Sequence, residues 1–555
     1  MNSKTAAAED MAAEQALPRR LSRRAKWAAG GIGLLGAVLC AWIWLLSGMP
    51  LGHQVVATMA LGSLLVLLSF LWLLAFSRGR MLIVGILFYP LVIGGLIGTF
   101  QFERFSGDFV PTLTFRWKKK KHELLAESAP LRAPTDQAPA NLAATTPFDY
   151  PRFLGSDGRA TVTNVTLQRD WVSHPPKLMW KQPIGAGWSS FAVVGPYALT
   201  QELRGTEEMI TCYRVESGEL VWSYVDPLVT DPFLSRVAGD GPRGTPTIHE
   251  GLVYALGSTG VLNCLDGATG QKVWSREVLR EHGAENTKWG ISCSPLVYRD
   301  RVVVTCGESS QRSLAAYDRL TGQDIAGWKG GTASNSDAYC SPMLAALCGV
   351  EQILILSDDR AAGHDVATGE ELWMYPWPSG SPNVAQLVPL PGDKVFVTAG
   401  YSKGCVLLQL KRESDKFLVE PAWKLNKNLK SKFSNVVVYD NHVYGFDEGV
   451  FVCVNLADGK RAWRGGRYGH GQVLLVGGLI VLQQEDPGDL LLIEPTPEEP
   501  REIARIPALE MRTWNNPVIS GQYLLIRNDR EAACFKVELV EEPVSEAESA
   551  ETVEE

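Results

Sequence analysis

Six times between residues 213 and 463 the chain repeats one short unit or its remnant. The copies are RVESGELVW ending at Trp222, DGATGQKVW at Trp274, DRLTGQDIAGW at Trp328, DVATGEELW at Trp373, the degenerate RESDKFLVEPAW at Trp423 and NLADGKRAW at Trp463. The turn glycines Gly218, Gly270, Gly322 and Gly369 follow at steps of 52, 52 and 47 residues, and Gly459 lies 90 residues on, across the degenerate unit. A period of this size, with several short apolar runs per unit punctuated by Gly, is the signature of a propeller or solenoid array. Each unit reads as a strand, a Gly-centred turn and a strand closed by Trp, and glycine suits the turn because it takes a positive φ without penalty.

Pairs of inner and second strands are legible eight times, from SSFAVVGPYALT through TPTIHEGLVYALG to NPVISGQYLLIRN. The eighth unit ends at ACFKVEL without a Trp strand, while an orphan strand, KLMWKQPIG with Trp180, precedes the first unit. If the orphan completes the last blade, the ring closes and no open sheet edge is left, which is the standard hazard of an all-β array. The expected fold is therefore all-β, an eight-bladed propeller over residues 148–540, preceded by an α-helical membrane anchor. The turn Trp is expected to plug against the adjacent blade. Asp266, Asp318 and Asp365, replaced by Arg214 and Asn455 in other units, are expected to cap the turn.

The anchor comes from three apolar stretches, 27–46, 55–76 and 81–100. Each is about 20 residues, enough for the roughly 30 Å of a bilayer core. Pro90 is tolerable in a membrane helix. Arg19, Arg20, Arg23, Arg24 and Lys26 precede the first stretch, and Arg78 and Arg80 sit between the second and third. This bias puts residues 1–26 in the cytoplasm and everything after residue 100 outside, on the periplasmic side of a multi-pass inner-membrane protein. The four lysines at 118–121 argue the other way, although Trp117 beside Arg116 could sit at the interface and hold them against outer-leaflet phosphates. Residues 101–147 read as a juxtamembrane segment and an Ala/Pro-rich linker, and residues 541–555, with seven Glu, as a disordered acidic tail. The net charge of −8 owes part of its size to that tail, and the main domain has no nucleic-acid footprint.

Ten cysteines, nine of them in the exported domain, invite a disulfide reading, and the repeat argues against it. Cys212, Cys264 and Cys453 each lie six residues before their turn Gly, where other units have Ala316 and Gly363. A small residue at a repeat position is a packing position, so unpaired buried thiols are expected. No C-x-x-C, H-E-x-x-H or His cluster supports a metal site.

The A-x-D-x-x-T-G-x-x-x-W type unit resembles the tryptophan-docking repeat of PQQ-like (quinoprotein) propellers. That eight-bladed family includes quinoprotein alcohol dehydrogenases and the propeller lipoprotein of the outer-membrane assembly machine. The chain is most similar to membrane-anchored bacterial PQQ-like repeat proteins, through YPRFLG (150–155), GPRGTPTIHEGLVYALG (241–257), WGISCSPLV (289–297), GYSKG (400–404) and GGRYGHGQVLL (465–475). This resemblance implies the fold more firmly than any chemistry, because members range from enzymes to scaffolds.

In such a fold the loops entering the inner strands form one mouth of the central channel. Their residues here are rich in polar and aromatic side chains: Trp188, Arg243, Trp289, Asp337 and Tyr339, Asn383 and Gln386, Lys432 and Asn435, His470, and Trp514 with Asn515. These twelve are the candidate ligand-binding residues. The residues themselves assign no cofactor and no metal. The resemblance implies PQQ with Ca²⁺ as the cofactor to test, with Asp337 as base. Against it stand the absence of an adjacent Cys–Cys pair, of a clear set of oxygen ligands for calcium and of a C-x-x-C-H haem site. The expected role is a binding or scaffold module for a protein, peptide or small ligand at the membrane. The alternative is a PQQ-dependent dehydrogenase that oxidises an alcohol or sugar and passes electrons to the membrane.

Overall fold

The computed structural model describes residues 23–46, 51–77, 79–128, 139–229, 231–235, 237–308 and 310–540. The expected acidic tail, residues 1–22 of the basic N-terminus, Arg78 and part of the expected linker lie outside the described residues. The chain divides into two compact units, Met1–Lys118 and Lys119–Glu555.

The first unit holds helices α1 (Arg23–Ala41, continued by a π-helical turn Trp42–Leu46), α2 (Leu51–Phe76) and α3 (Arg80–Thr99). All three are long and apolar enough to cross a membrane, over Lys26–Leu46, His53–Phe76 and Leu82–Thr99. Their side chains stay largely uncovered, as with Leu45 and Leu91, which suits lipid rather than a protein core. A hairpin, β1 (Phe100–Phe105) and β2 (Pro111–Phe115), follows α3 directly.

The second unit opens with α4 (Lys121–Ser128) and closes eight sheets into a propeller. Blades 1 to 8 rest on residues 192–225, 247–277, 296–318, 343–376, 388–426, 437–467, 472–509 and 518–536. The orphan strand β4 (Lys177–Pro183, following the short β3, Thr161–Val162) pairs antiparallel with Glu531–Lys536 and supplies the outer strand of blade 8. The ring thus closes as the missing-strand argument expects.

Six indoles tie neighbouring blades. Trp180, Trp222, Trp274, Trp328, Trp423 and Trp463 donate their ring N–H to backbone carbonyls in the outer turn of the next blade, at Val215, Gly267, Arg319, Val366, Leu456 and Thr496, over 2.7–3.2 Å. The turn glycine is needed twice over. Gly218, Gly270, Gly322, Gly369 and Gly459 have φ of 69–71°. A Cβ added at any of them would also lie 2.5–2.8 Å from the preceding blade's indole. Trp373 departs from this pattern, because blade 5 carries a long hairpin (Gly404–Glu413 and Lys416–Asn426) in place of the Gly turn. Its indole folds back to Gln352 Oε1 of its own blade at 2.6 Å, and Gly363 leaves it room, since a Cβ there would come within 2.3 Å of Nε1. Asp266, Asp318 and Asp365 cap their turns by accepting backbone N–H groups two to three residues on. All ten cysteines are free, and eight of them are buried.

Two segments differ from a plain linker. Helix α4 lies on blade 1, where Gly205 N–H donates to His122 O at 3.2 Å, and Lys120 pairs with Asp240. Further on, Ala140 and Leu142 are buried in the apolar cluster shared by blades 1 and 2. Among the described residues, blade 3 has three strands. An irregular segment replaces its fourth, with Ile325 N–H on Ala316 O and Leu314 N–H on Gly330 O, both at 2.9 Å.

The seam between blades 8 and 1 carries buried charge. The Arg527 guanidinium donates to Thr200 Oγ1, Gln201 O and Gly185 O at 2.6–3.0 Å. Beside it, Glu202 accepts Tyr213 Oη at 2.5 Å and Arg204 at 3.1 Å.

Replacing Gly270 by Val should destabilise the propeller by about 2–5 kcal/mol, from the positive-φ strain plus the collision with Trp222. Thermal unfolding measures it, and an unchanged midpoint would refute the turn assignment. A second prediction concerns His364, fully buried in blade 4 against Gly331. Burial holds its imidazole at about 4, well below the ordinary 6.5. The unfolded chain protonates this group near 6.5 and the folded one only near 4. Its contribution is therefore intact above pH 6.5 and lost as pH falls toward 4, up to about 3 kcal/mol. Unfolding free energies measured across that window should fall less steeply for His364→Leu; parallel curves would overturn the assignment.

Candidate functional site: the channel mouth

Where each inner strand begins, one polar side chain points at its neighbour blade. Ser190, Thr245, Ser294, Ser341, Gln386, Asn435, Gln472 and Asn516 occupy this position in blades 1 to 8, and all are buried. The backbone N–H of Ser190 donates to Thr245 Oγ1, that of Thr245 to Ser294 Oγ, and that of Ser294 to Ser341 Oγ, at 2.8–3.0 Å. The series continues from Ser341 to Gln386 Oε1, Gln386 to Asn435 Oδ1 and Asn435 to Gln472 Oε1, at 3.0–3.4 Å. Asn516 Nδ2 on Gln472 Oε1 at 3.0 Å and Ser190 Oγ on Asn516 O at 2.6 Å complete the circle. These eight side chains form a polar girdle around the channel.

Below the girdle, residues 150–160 close the opening. Tyr150 exchanges backbone bonds with Val193 of blade 1, Ile248 N–H of blade 2 donates to Pro151 O, and Leu475 N–H of blade 7 donates to Ala160 O. Between them, Arg152, Phe153 and Gly158 sit under Ser294, Ser341 and Gln386, leaving a gap of about 20 Å³. Residues 150–160 thus cover this end of the channel along blades 1, 2 and 7 and beneath Ser294, Ser341 and Gln386.

The mouth has an aromatic side and a polar side. Trp188 and Trp514 lie 4.9 Å apart between ring centroids, and Trp514 and Phe433 lie 4.6 Å apart. Phe433 then meets His470 at 5.3 Å and Tyr401 at 6.3 Å. Two cations stand on this arc. Arg512 Cζ is 4.1 Å from the Trp514 centroid and 5.0 Å from that of Trp188. Lys432 Nζ is 4.9 Å from Tyr401 and 5.2 Å from Phe433. Such contacts are worth about 0.5–2 kcal/mol each, more when desolvated. The indoles are held from outside: Trp514 Nε1 donates to Glu485 Oε1 at 2.9 Å and Trp188 Nε1 to Ala238 O at 2.6 Å.

On the polar side, Arg243 is used by its own loop. It donates to the carbonyls of Ala238, Gly239 and Gly241 and stacks at 4.5 Å on Phe233. Burial lowers its guanidinium to about 10. Lys288 Nζ lies 4.9 Å from the Trp289 ring. Tyr339 is buried, and burial, with Asp337 next in effect, pushes its hydroxyl pKa up. Asp337 faces Asp358, whose carboxyl is raised first by burial and then by this neighbouring charge. Both face the Lys403 ammonium, which donates to Ser381 O at 2.7 Å and Asn383 Oδ1 at 2.9 Å.

The twelve expected residues thus separate by place. Trp188, Lys432, His470 and Trp514 come together on the aromatic arc, while Arg243, Trp289, Asp337 and Tyr339 lie on the polar side. Gln386 and Asn435 belong to the girdle. Asn383 and Asn515 act as brackets, donating to Ser357 O and Ser189 O at 2.7 Å. Sequence reasoning passed over Arg512, Phe433, Tyr401, Lys403 and Asp358. A signal existed for two of them in GYSKG, where Tyr401 and Ser402 hold φ of 54° and 65° in consecutive turn positions and Lys403 N–H bonds Gly400 O at 3.1 Å. Non-glycine residues rarely hold that conformation. The turn turns Tyr401 toward Phe433 and tucks Lys403 inside.

These residues do not fit a PQQ–calcium pair. The faces of Trp514 and Trp289 that a flat quinone would use carry Arg512 and Lys288. Beside Asp337 and Asp358, the positive charge is supplied by Lys403. Among the described residues, no group of three or more His, Cys, Asp and Glu is placed to hold a metal ion.

Comparison with known proteins agrees with the fold. Residues 206–465 match the family model described as outer membrane protein assembly factor BamB. Among solved structures, BamB from Moraxella catarrhalis is 14% identical, with 66% of this chain and 99% of that chain covered and a TM-score of 0.47. Quinohemoprotein alcohol dehydrogenase from Comamonas testosteroni is 13% identical, covering 73% of this chain and 82% of that one with a TM-score of 0.50. Quinohemoprotein alcohol dehydrogenase ADHIIG from Pseudomonas putida HK5 is 14% identical, covering 73% and 84% with a TM-score of 0.50. No curated protein matches. By its repeat, its eight closed blades and this match over residues 206–465, the chain is similar to the PQQ-like β-propeller repeat proteins and shares their fold, with three apolar helices ahead of the propeller.

Proposed function

We propose that this protein is a membrane-anchored recognition module that displays its propeller on the outer side of the cytoplasmic membrane and binds a protein or peptide at the channel mouth. The observation that carries this reading is the way the mouth's chemistry is already committed within the molecule. Cations sit on the ring faces, amides bracket the backbone and the buried Lys403 stands near the acidic pair. What remains for a partner is a half-exposed rim of aromatic edges over the polar girdle, which suits contact better than turnover. Kinship with both an assembly factor and dehydrogenases is compatible with such a role, since the fold alone selects neither. The arginine-rich positive bias before the first stretch and between the second and third favours the outer placement. The run at 118–121 weighs less against it than its charge implies, because Lys119 and Lys120 pair with Glu127 and Asp240.

A photo-crosslinking residue at the half-exposed Trp289, with Leu320 on the exposed lower turn of blade 3 as control, tests the site in intact membranes. A discrete protein adduct from position 289 only, lost on Trp514→Ala, is the expected result. Equal adducts from both positions would refute the mouth as the contact. Independently, purified full-length protein titrated with PQQ and Ca²⁺ to about millimolar, where binding is worth only about 4 kcal/mol, should show no saturable absorbance change. Saturable binding abolished by Trp514→Ala would replace this reading with the dehydrogenase.

A further inference from the structure

The β1–β2 hairpin is two-faced. Its register sets Phe100 opposite Phe115, Phe102 opposite Leu113 and Phe105 opposite Pro111. The intervening pairs are Gln101 with Thr114 and Arg104 with Thr112. A bulge at Glu103 absorbs one residue of the alternation, so that Phe105 returns to the face of Phe102, and their rings lie 5.5 Å apart. One face is therefore entirely apolar and the other entirely polar. Along the apolar face Phe100 stacks on Phe115 at 5.1 Å and Phe115 on Trp117 at 5.0 Å.

Within its unit this face is uncovered. Phe102 is 42% exposed, Leu113 57%, Phe115 46% and Trp117 70%. A lone two-stranded hairpin is marginal in water, and this one would present a row of aromatic rings to it. Its attachment identifies what covers it. Helix α3 ends at Thr99 and β1 begins at the next residue. At the far end of the hairpin, Arg116 N–H bonds Thr99 O at 3.0 Å and Arg116 Nε bonds Ile97 O at 2.6 Å. Both strand ends are therefore pinned to the last turn of a membrane-length helix, the level at which aromatic side chains concentrate in membrane proteins.

We infer that this hairpin is an interfacial anchor whose apolar face, from Phe100 to Trp117, lies in the headgroup–acyl boundary of the phospholipid bilayer. The inference rests on the helices spanning that bilayer. With its backbone groups paired between strands and its polar face turned to water, a hairpin can lie in this layer where an unpaired strand could not. Anchored this way, the end of α3 gains a second attachment to the leaflet beyond the helix itself.

The test uses the full-length protein, with Cys40 and Cys348 replaced by Ser, reconstituted in phosphatidylethanolamine–phosphatidylglycerol vesicles. An environment-sensitive fluorophore is placed at Leu113→Cys on the apolar face or Thr112→Cys on the polar face. Doxyl-labelled lipid is expected to quench position 113 several-fold more than 112, and aqueous iodide to do the reverse. Equal lipid quenching at the two positions, in protein that stays with the vesicles through carbonate extraction, would overturn the anchor and leave the spans intact. Shielding of 113 from iodide without lipid quenching would assign the face to a protein surface and also overturn it. Release of the protein by carbonate would refute the spans themselves, and the anchor with them.

Discussion

The inter-blade contact on which everything else depends is an indole lying on a glycine. Each tryptophan brings a large apolar ring and one donor to the outer rim of the next blade. The glycine there lets the ring approach to a distance no side chain would permit, and the turn carbonyl takes the ring N–H. Five such contacts, with a sixth indole bond from Trp463 to Thr496 O in a turn without glycine, space the blades at their periphery, so the inner strands arrive at the axis in a fixed order and at a fixed height. Where the contact fails, at Trp373, the chain compensates locally: the indole turns into its own blade, and Gly363 makes room for it.

Because the periphery is regular, the axis can be irregular without loss of register. The girdle uses hydroxyls in blades 1 to 4 and longer amides in blades 5 to 8, so the polar ring is lopsided. The aromatic arc stands mostly over the amide half, with Tyr401, Phe433, His470 and Trp514 entering from blades 5 to 8. Buried polar groups bonded from blade to blade in a ring are costly to leave half-satisfied, so the girdle rewards one arrangement of eight similar blades over its shifted alternatives. This places the chemistry of the channel in service of assembly, and leaves recognition to the rim above it.

The blade count, the ring closure and the free cysteines could all be read from the chain because they depend on spacing, and spacing survives in sequence. The mouth was half legible. Entry loops located Trp188, Arg243 and Trp514, but position along a loop does not say where a side chain points. Asn383 and Gln386 lie at equally plausible positions and turn to backbone and girdle instead. Tyr401 was missed for the converse reason, since only the left-handed turn at 401–402 swings it over Phe433. The hairpin after α3 was hidden by its own bulge: with Glu103 inserted, FQFERF no longer alternates, and a periodicity reading loses it. Ala140 and Leu142 sit in a stretch whose composition reads as linker, yet both are buried in the apolar cluster shared by blades 1 and 2.

The seam between blades 8 and 1 presents a problem the other seams do not have, because its strands come from opposite ends of the domain. An array of near-equal units could close after a wrong number of blades, and indole contacts alone would not object. Arg527 does object. Its guanidinium is buried, and while Nε reaches Asn528 O of its own blade at 3.4 Å, its two terminal nitrogens are met by Thr200, Gln201 and Gly185 at blade 1 and the segment leading into it. Brought against a blade that lacks these acceptors it would be a desolvated charge with most of its donors unmet, a penalty of several kcal/mol. Buried ion networks contribute little to stability when replaced as a whole, but they penalise the wrong neighbour severely. Placing this one at the closing seam, with Glu202, Arg204 and Tyr213 completing it, makes the eighth blade recognise the first.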